Sequence, residues 1–219
     1  MNMNVSKFCA ATGASLVLLC GPALAQETEF GIILQGAEYE ATDTITNLSG
    51  DENGQAVGVV FRRTSPTASG FIGFQGVLAL ENTSREVTES EVISAIEVSG
   101  TGEISTDFSA DALFLAGVNA TDALSFYGGI GISAVKGEIS YSISALGSTV
   151  STSDSNIHFG PKVVLGLNYQ VSEGHKVFAQ VEHARYGDED YHNEMLGVQV
   201  NEPIELDQTK FGVGLLFAF

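Results

Sequence analysis

The chain has 219 residues and a formal net charge of −18 at pH 7, with 27 acidic residues against 9 basic ones. Such an acidic chain excludes nucleic acid as a partner, because phosphates require a basic surface, and it offers no attraction to an anionic lipid surface. Glycine is abundant, proline is rare, tryptophan is absent and strong helical periodicity is missing, so the composition is typical of a β protein.

Residues 1–25 have the pattern of a secretory signal peptide that is cleaved from the mature protein. Lys7 supplies the positive charge, residues 14–19 form the apolar region, and Ala23-Leu24-Ala25 is a small-x-small cleavage site. Both cysteines of the chain lie within this segment, so no disulfide or cysteine–metal chemistry is expected in the mature protein. The remainder, 26–219, has a length that predicts a single domain.

Strand-like segments follow one another along the mature chain, and most are near the ~9–11 residues that a tilted membrane strand needs. We place them at roughly 29–40, 55–63, 70–81, 109–118, 123–136, 157–170, 176–186 and 208–219. In the sixth, Ile157 and Phe159 share one parity while His158 and Lys162 share the other, and alternate side chains of a strand point to the same face. The fourth is too uniformly apolar for its faces to be assigned.

The eighth segment ends the chain on an apolar face that finishes in an aromatic residue. One parity contains Phe211, Val213, Leu215, Phe217 and Phe219. The other contains Gly212, Gly214, Leu216 and Ala218, which are small rather than polar. A soluble protein has little reason to expose such a face at a free end, whereas a strand that closes a barrel in lipid does.

The links between the segments alternate between short and long. The short, turn-like links are 64–69, 119–122 and 171–175. The long links are polar and hold much of the acid, at 41–54, 82–108, 137–156 and 187–207. An outer-membrane barrel with both termini in the periplasm has this arrangement, and its strand number must be even. The sequence therefore predicts an all-β, antiparallel, up-and-down eight-stranded transmembrane β-barrel with long acidic outer loops.

Three motifs resemble those of small outer-membrane barrels. Segment 126–132 is similar to their Y-G-G-x-G-x-G strand, segment 166–173 to their G-x-x-Y-x-x-S strand and turn, and segment 181–188 to their E-Y-R-Y-x-x-Y-G-D strand. The mature chain thus resembles the opacity-protein and OmpA-like family of eight-stranded barrels, which also belongs with the porin family. The resemblance implies a place in the Gram-negative cell outer membrane. It also implies insertion by the barrel assembly machinery, which reads the terminal strand, here through the assembly signal Phe211, Phe217 and Phe219.

The lumen is the first candidate for a functional site, because it contains the inward-facing polar side chains. An eight-stranded barrel is just wide enough for its own side chains to fill. The inward polar set is Gln35, Arg62, Gln75, Lys162, Gln180 and Glu182. A turn centred near Glu173 places Lys162 diagonally from Glu182. Buried charges must be paired, so we expect a hydrogen-bonded plug. The alternative is a gate, in which the same groups change partners and open a narrow water path.

No catalytic residue, cofactor or metal site is predicted. A lipid A deacylase-type site needs a hydroxyl two residues after a histidine. The residues two positions after His158, His183 and His192 are Gly160, Arg185 and Glu194. Segment 188–192 resembles the acidic pair of an omptin-type protease only crudely. The omptin fold also has ten strands, whereas eight are predicted here. That segment also lacks the EF-hand spacing, although its carboxylates suit divalent cations that could bridge to lipopolysaccharide.

The predicted function is that of an integral outer-membrane barrel with a structural or surface-interaction role through its long acidic loops. Two alternatives remain: a narrow, passive, porin-like channel and a soluble periplasmic lipocalin-like ligand binder. A lipocalin brings an early Gly-x-Trp motif, and this chain has no tryptophan. A lipocalin would also bury its apolar side chains inward, which is the reverse of the arrangement predicted here. The expected partners are outer-membrane lipids, lipopolysaccharide and the assembly machinery. No motif identifies the external partner, because long loops determine specificity and a single sequence does not show what they bind.

Overall fold

The computed structural model describes residues 26–43, 49–93, 96–146, 148–195 and 198–219. The strands of these residues are β1 Glu27–Asp43, β2 Ser49–Pro66, β3 Gly70–Ile93, β4 Ile96–Asn119, β5 Leu124–Ala145, β6 Ser148–Ser172, β7 His175–Met195 and β8 Val198–Ala218. Each strand pairs antiparallel with its neighbour in the chain, and β1 closes on β8. The predicted up-and-down barrel is confirmed. The described residues include no helix with the length and hydropathy needed to cross a membrane.

Large exposed side chains over the central part of the strands are apolar, whereas the inward side chains include both polar and apolar residues. On β6, Phe159 and Leu165 are 61% and 66% exposed, whereas Lys162 is 2% exposed. On β8, Phe211 is exposed while Leu216 is buried, as its parity predicts. The outer surface is therefore made for contact with hydrocarbon, because burying apolar area away from water is the favourable direction.

The fourth strand, whose faces could not be assigned from sequence, follows the same rule. Asp111, Leu113 and Leu115 are buried inside the barrel, and Phe114 is 54% exposed on the outside. Its two faces differ little in hydropathy because the inward face of β4 carries leucines as well as polar residues. Closure of the barrel is what assigns the two faces.

The prediction of long loops is wrong, because the strands continue far beyond the membrane. β6 alone has 25 residues, whereas ~9–11 residues cross a bilayer. The pairing of β3 with β4 runs on to Ile93 opposite Ile96, and that of β5 with β6 to Ala145 opposite Ser148. Polar side chains show that a segment avoids lipid, but any residue other than proline supplies the backbone groups of a ladder. The described residues of the predicted loops thus lie mostly in paired β-strands.

The two ends of the barrel therefore differ. The short-turn end has its links near 67–69, 120–123 and 173–174. The chain termini of the barrel lie there too, since the Phe219 amide donates to the Thr28 carbonyl at 3.2 Å. The opposite end, from which the paired hairpins project, is called here the long-hairpin end.

The wall of the barrel splits in two at the long-hairpin end. The pairing of β6 with β7 stops at Lys162 opposite Ala184, and that of β2 with β3 stops at Gln55 opposite Asn82. Beyond these points β3, β4, β5 and β6 form one half-sheet, and β7, β8, β1 and β2 form the other. Two seams without pairing in the described strands separate them. We call these the β6/β7 seam and the β2/β3 seam.

A glycine stands where each seam begins. A Cβ at Gly160 would overlap the carbonyl oxygen of Arg185 on β7, and a Cβ at Gly54 would overlap the side chain of Thr83 on β3. Each glycine therefore lets the two strands approach closely at the last point before they separate.

Candidate functional site: the barrel lumen

Arg62 is the centre of a cluster near the short-turn end. Its side chain is buried, Nε donates to Gln75 Oε1 at 3.0 Å, and Nη1 donates to Asn168 Oδ1 at 2.7 Å. The guanidinium lies 4.8 Å from the ring centre of Tyr127 and 5.2 Å from that of Phe178. These neutral acceptors and ring faces take the place of water around a charge that is costly to bury.

Gln180 and Glu182 connect this cluster with the next one. The Tyr127 hydroxyl donates to Gln180 Oε1 at 2.7 Å, and Gln180 Nε2 donates to Glu182 Oε1. Gln35 Nε2 on β1, two strands away around the barrel, donates to the same carboxylate oxygen at 3.0 Å. The chain of contacts thus reaches from β5 through β7 to β1.

Lys162 lies between two carboxylates. Its Nζ is 2.6 Å from Asp111 Oδ2, it is ion-paired with Glu182 Oε2, and all three side chains are buried. The Ser133 hydroxyl donates to Asp111 Oδ1, and the Tyr186 hydroxyl lies 2.8 Å from the Ser133 hydroxyl. Two carboxylates around one ammonium leave a net negative charge, which the surrounding hydroxyl groups stabilise.

A third cluster continues from Tyr186. Its hydroxyl donates to Gln208 Oε1 at 2.8 Å, and Gln208 Nε2 donates to Glu81 Oε2 at 3.1 Å. Lys210 is ion-paired with Glu81 Oε1 and donates to the Ser109 hydroxyl at 3.0 Å. One series of hydrogen bonds and ion pairs, joined at one point by the close approach of the Ser133 and Tyr186 hydroxyl oxygens, therefore runs through the lumen from Arg62 to Lys210, and we call it the lumen network.

A separate ion pair lies at the mouth of the short-turn end. Lys176 Nζ is 2.8 Å from both Glu27 Oε2 and Glu29 Oε1. Together with Arg62 and Asn168 they line an open cavity of about 280 Å³. A larger space of about 1100 Å³ includes the outward-facing Leu80 and Phe211 in its lining, so it is not confined to the lumen.

Apolar side chains fill the space between the polar clusters. They form three groups: Ile33, Val60, Val77, Phe178 and Leu216; Leu113, Leu115, Tyr127 and Val164; and Ala37, Val135, Ala184, Tyr186 and Leu206. Their burial matches the expectation that an eight-stranded barrel has an interior just wide enough for its own side chains.

The structure brings together all six residues that the sequence pointed inward. Gln35, Arg62, Gln75, Lys162, Gln180 and Glu182 are each at most 5% exposed, and all belong to the lumen network. Parity did not identify Glu81 as a partner of Lys210, or Asp111 and Asn168 as partners of Lys162 and Arg62. Glu81 has the same parity as Gln75 on β3, and Asn168 has the same parity as Lys162 on β6, so parity predicts the face of each residue but not its partner.

The aromatic residues of the terminal strand lie on its outer face. Phe217 lies against the His175 ring with centroids 5.5 Å apart, and Phe219 meets Phe30 edge-on with centroids 5.7 Å apart. Phe211 is 61% exposed, and Phe219 is 89% exposed. The three aromatic rings therefore lie on the same lipid-facing surface, where β8 pairs with β1 to close the barrel.

Other candidate groups are less informative. His158 is buried at the base of the β6/β7 seam, whereas His175 is exposed at the start of β7 and His183 is exposed near its middle. The structure does not describe the side chains of the acidic segment 188–192. Among the side chains that it does describe, no group of three or more His, Asp or Glu residues is placed to hold a metal ion.

A family model described as outer membrane protein beta-barrel domain matches residues 11–219. The chain therefore belongs to this family of outer-membrane β-barrels, and its place is the outer membrane. The hypothesis of a soluble periplasmic lipocalin-like binder is wrong. Its physical basis fails as well, because an outer surface of exposed Phe, Leu, Ile and Val side chains surrounds a lumen that holds the buried charges of Lys162 and Glu182.

Several solved structures match the chain over most of its length. The outer membrane protein AlkL, solved by solid-state NMR in lipid bilayers, has a TM-score of 0.51 at 12% identity, over 91% of this chain and 92% of that one. The protease OmpT from Escherichia coli has a TM-score of 0.49 at 8% identity, over 88% and 97%. The attachment invasion locus protein Ail of Yersinia pestis has 0.40 at 17%, over 87% and 99%. No curated protein matches the chain in sequence.

Proposed function

We propose that this protein is a closed, non-enzymatic outer-membrane barrel whose work is contact at the cell surface through the long-hairpin end. The observation that supports the proposal is the lumen network, a connected series of buried partners from Arg62 to Lys210. A lumen filled in this way favours a role outside the barrel over transport through it.

The short-turn end then faces the periplasm, with both chain termini, and the hairpins face the outside. This orientation follows the general form of outer-membrane barrels, which have short periplasmic turns and longer external connections. In the same orientation, the lipid leaflet around the hairpins is that of lipopolysaccharide. Phe211, Phe217 and Phe219 serve the assembly machinery as the signal of the terminal strand.

The lumen is tested by conductance. Purified protein inserted in planar bilayers is expected to give no discrete current steps if the inward side chains of the lumen network fill the path through the barrel. Heat-modifiable migration of protein recovered from the same preparation verifies that the barrel is folded. Discrete steps from folded wild-type protein would contradict the closed lumen.

Such steps would support the second candidate, a narrow passive channel. The open cavity at the short-turn end favours it, because a vestibule of about 280 Å³ reaches inward as far as Arg62 and Asn168, which are part of its lining. The network between Arg62 and Lys162 would then have to separate during conduction.

A further inference from the structure

The three strands β4, β5 and β6 carry an array of hydroxyl groups beyond the lipid-facing zone. Residues directly opposite across these strands form rows: Ser99, Ser144 and Thr149; Thr101, Ser142 and Ser151; Glu103, Ser140 and Ser153; and Ser105, Glu138 and Ser155. All but the two glutamates bear a hydroxyl. We call this surface the hydroxyl face.

The hydroxyl face continues the lipid-facing surface. Along β6, Ile157 and Phe159 are exposed to lipid, and the alternate positions from Ser155 to Thr149 keep the same parity without a register shift. The residues directly opposite on β5 and β4 share their side of the sheet. The outer wall therefore changes from apolar side chains to hydroxyl groups directly where it leaves the hydrocarbon.

The boundary between the two zones has its own ion pair. Lys136 Nζ lies 2.8 Å from Asp107 Oδ2, with both side chains partly exposed, and Lys136 is opposite Phe108. The negative charge of Asp107 neutralises the charge of this lysine, and the four rows beyond it contain only Ser, Thr and Glu. The hydroxyl face therefore offers no excess of positive charge for phosphate groups. The two glutamates of the hydroxyl face add negative charge.

We infer that the hydroxyl face binds the saccharide headgroups of the lipopolysaccharide leaflet in which the barrel stands. Hydroxyl groups are both donors and acceptors, as sugar hydroxyls are, so each row can exchange hydrogen bonds with a neutral sugar. The face has no apolar side chains with which to bury a protein partner and no free cation for a phosphate. Its continuity with the lipid-facing surface brings the headgroups of the leaflet next to it.

The contact does not need high affinity for each group. A hydrogen bond contributes only about 0.5–1.5 kcal/mol net in water. The leaflet, however, holds its headgroups against the barrel at a high effective concentration, so many weak contacts act together. Binding to the folded hairpin then stabilises it against local opening.

The test compares amide hydrogen exchange of residues 138–155 in nanodiscs of three compositions. One contains lipopolysaccharide with its core oligosaccharide, one contains lipid A without sugars beyond it, and one contains phospholipid. We expect at least about fivefold slower exchange in the first than in the other two, the equivalent of one net hydrogen bond. The triple variant Ser142→Ala, Ser151→Ala and Ser153→Ala should lose this protection.

A matched control removes hydroxyl groups at the opposite end of the barrel. The triple variant Ser65→Ala, Thr67→Ala and Ser69→Ala should keep the oligosaccharide-dependent protection, because these positions lie at a short turn. Equal protection by lipid A, or unchanged protection in the hydroxyl-face variant, would overturn the inference.

The inference depends on the proposed orientation, and a separate measurement tests that orientation. Leu146 is 79% exposed next to the tip of the β5–β6 hairpin, so Leu146→Cys should react with a membrane-impermeant maleimide on intact cells. Absence of labelling there, with labelling after permeabilisation, would contradict the proposed function itself. Labelling of intact cells without any effect of oligosaccharide would contradict the saccharide contact alone.

Discussion

Among single residues, the buried cations of the lumen carry the largest electrostatic cost. Lys162 is 2% exposed and is surrounded by the carboxylates of Asp111 and Glu182, which are equally removed from water. Each of these groups would be very unfavourable alone, because transferring an unpaired charge out of water costs several kcal/mol. Their stability is therefore a property of the group and not of any one member.

Replacing Lys162 by Met should destabilise the folded barrel by about 3–5 kcal/mol, because two buried carboxylates lose their common partner. The measurement is the free energy of unfolding by urea in lipid vesicles. Lys136→Met is the matched control, since it breaks an exposed ion pair with Asp107 and should cost no more than about 1 kcal/mol. Equal losses in the two variants would contradict the pairing described for the lumen.

At the scale of elements, the extended strands explain how the barrel reaches beyond the membrane. β5 is paired on both sides almost to its end, with β4 up to Val98 opposite Ala145 and with β6 up to Ser148. β6 has only β5 as its partner before Lys162. The β6/β7 seam therefore exposes one edge of a strand whose other edge is fully paired.

This asymmetry should be visible in the hydrogen exchange of single amides, measured by NMR in detergent-free nanodiscs of phospholipid. Successive amides of a strand point to opposite neighbours. Residues 148–160 of β6 should thus alternate between slow and fast exchange. Residues 137–144 of β5 provide the control, because both of their edges are paired and their protection should not alternate. Uniform protection along 148–160 would mean that the seam is closed in solution.

At the scale of the whole molecule, the barrel exists because its last strand returns to its first. β8 pairs with β1 from Ala218 opposite Glu29 to Ile204 opposite Asp43. This pairing joins the backbone edges of the first and last strands to each other in the hydrocarbon, where unpaired N–H and C=O groups cost several kcal/mol each. The side chain of the terminal residue adds little to this closure, because Phe219 is 89% exposed and its ring meets Phe30 edge-on at the surface.

Phe219→Ala should therefore lower the amount of assembled barrel in cells while leaving the unfolding free energy of the purified barrel nearly unchanged. The amount of heat-modifiable protein in outer-membrane fractions measures the first quantity. Phe159→Ala is the control, because Phe159 is also an exposed, lipid-facing phenylalanine but lies outside the terminal strand. If both variants accumulate to the same level, Phe219 is not part of an assembly signal.

Local sequence patterns predict some contacts of the candidate site but not others. The turn near Glu173 was enough to place Lys162 diagonally from Glu182, because a short hairpin determines its own register. The structure has Gly174 in this turn with a φ of 74° and Lys162 opposite Ala184. In contrast, Glu81 and Lys210 are 129 residues apart, and no hairpin relates them.

The alternation of apolar and polar side chains is written in the sequence, and it determined the barrel, its lipid-facing surface and the inward set of polar residues. It could do so because the two-residue period of a strand is a local property. Only the tertiary structure decided which inward groups meet across the lumen, that the polar links are paired hairpins, and where the wall divides into two half-sheets. These features depend on the register between strands after closure, and the side chains of one strand carry no record of that register.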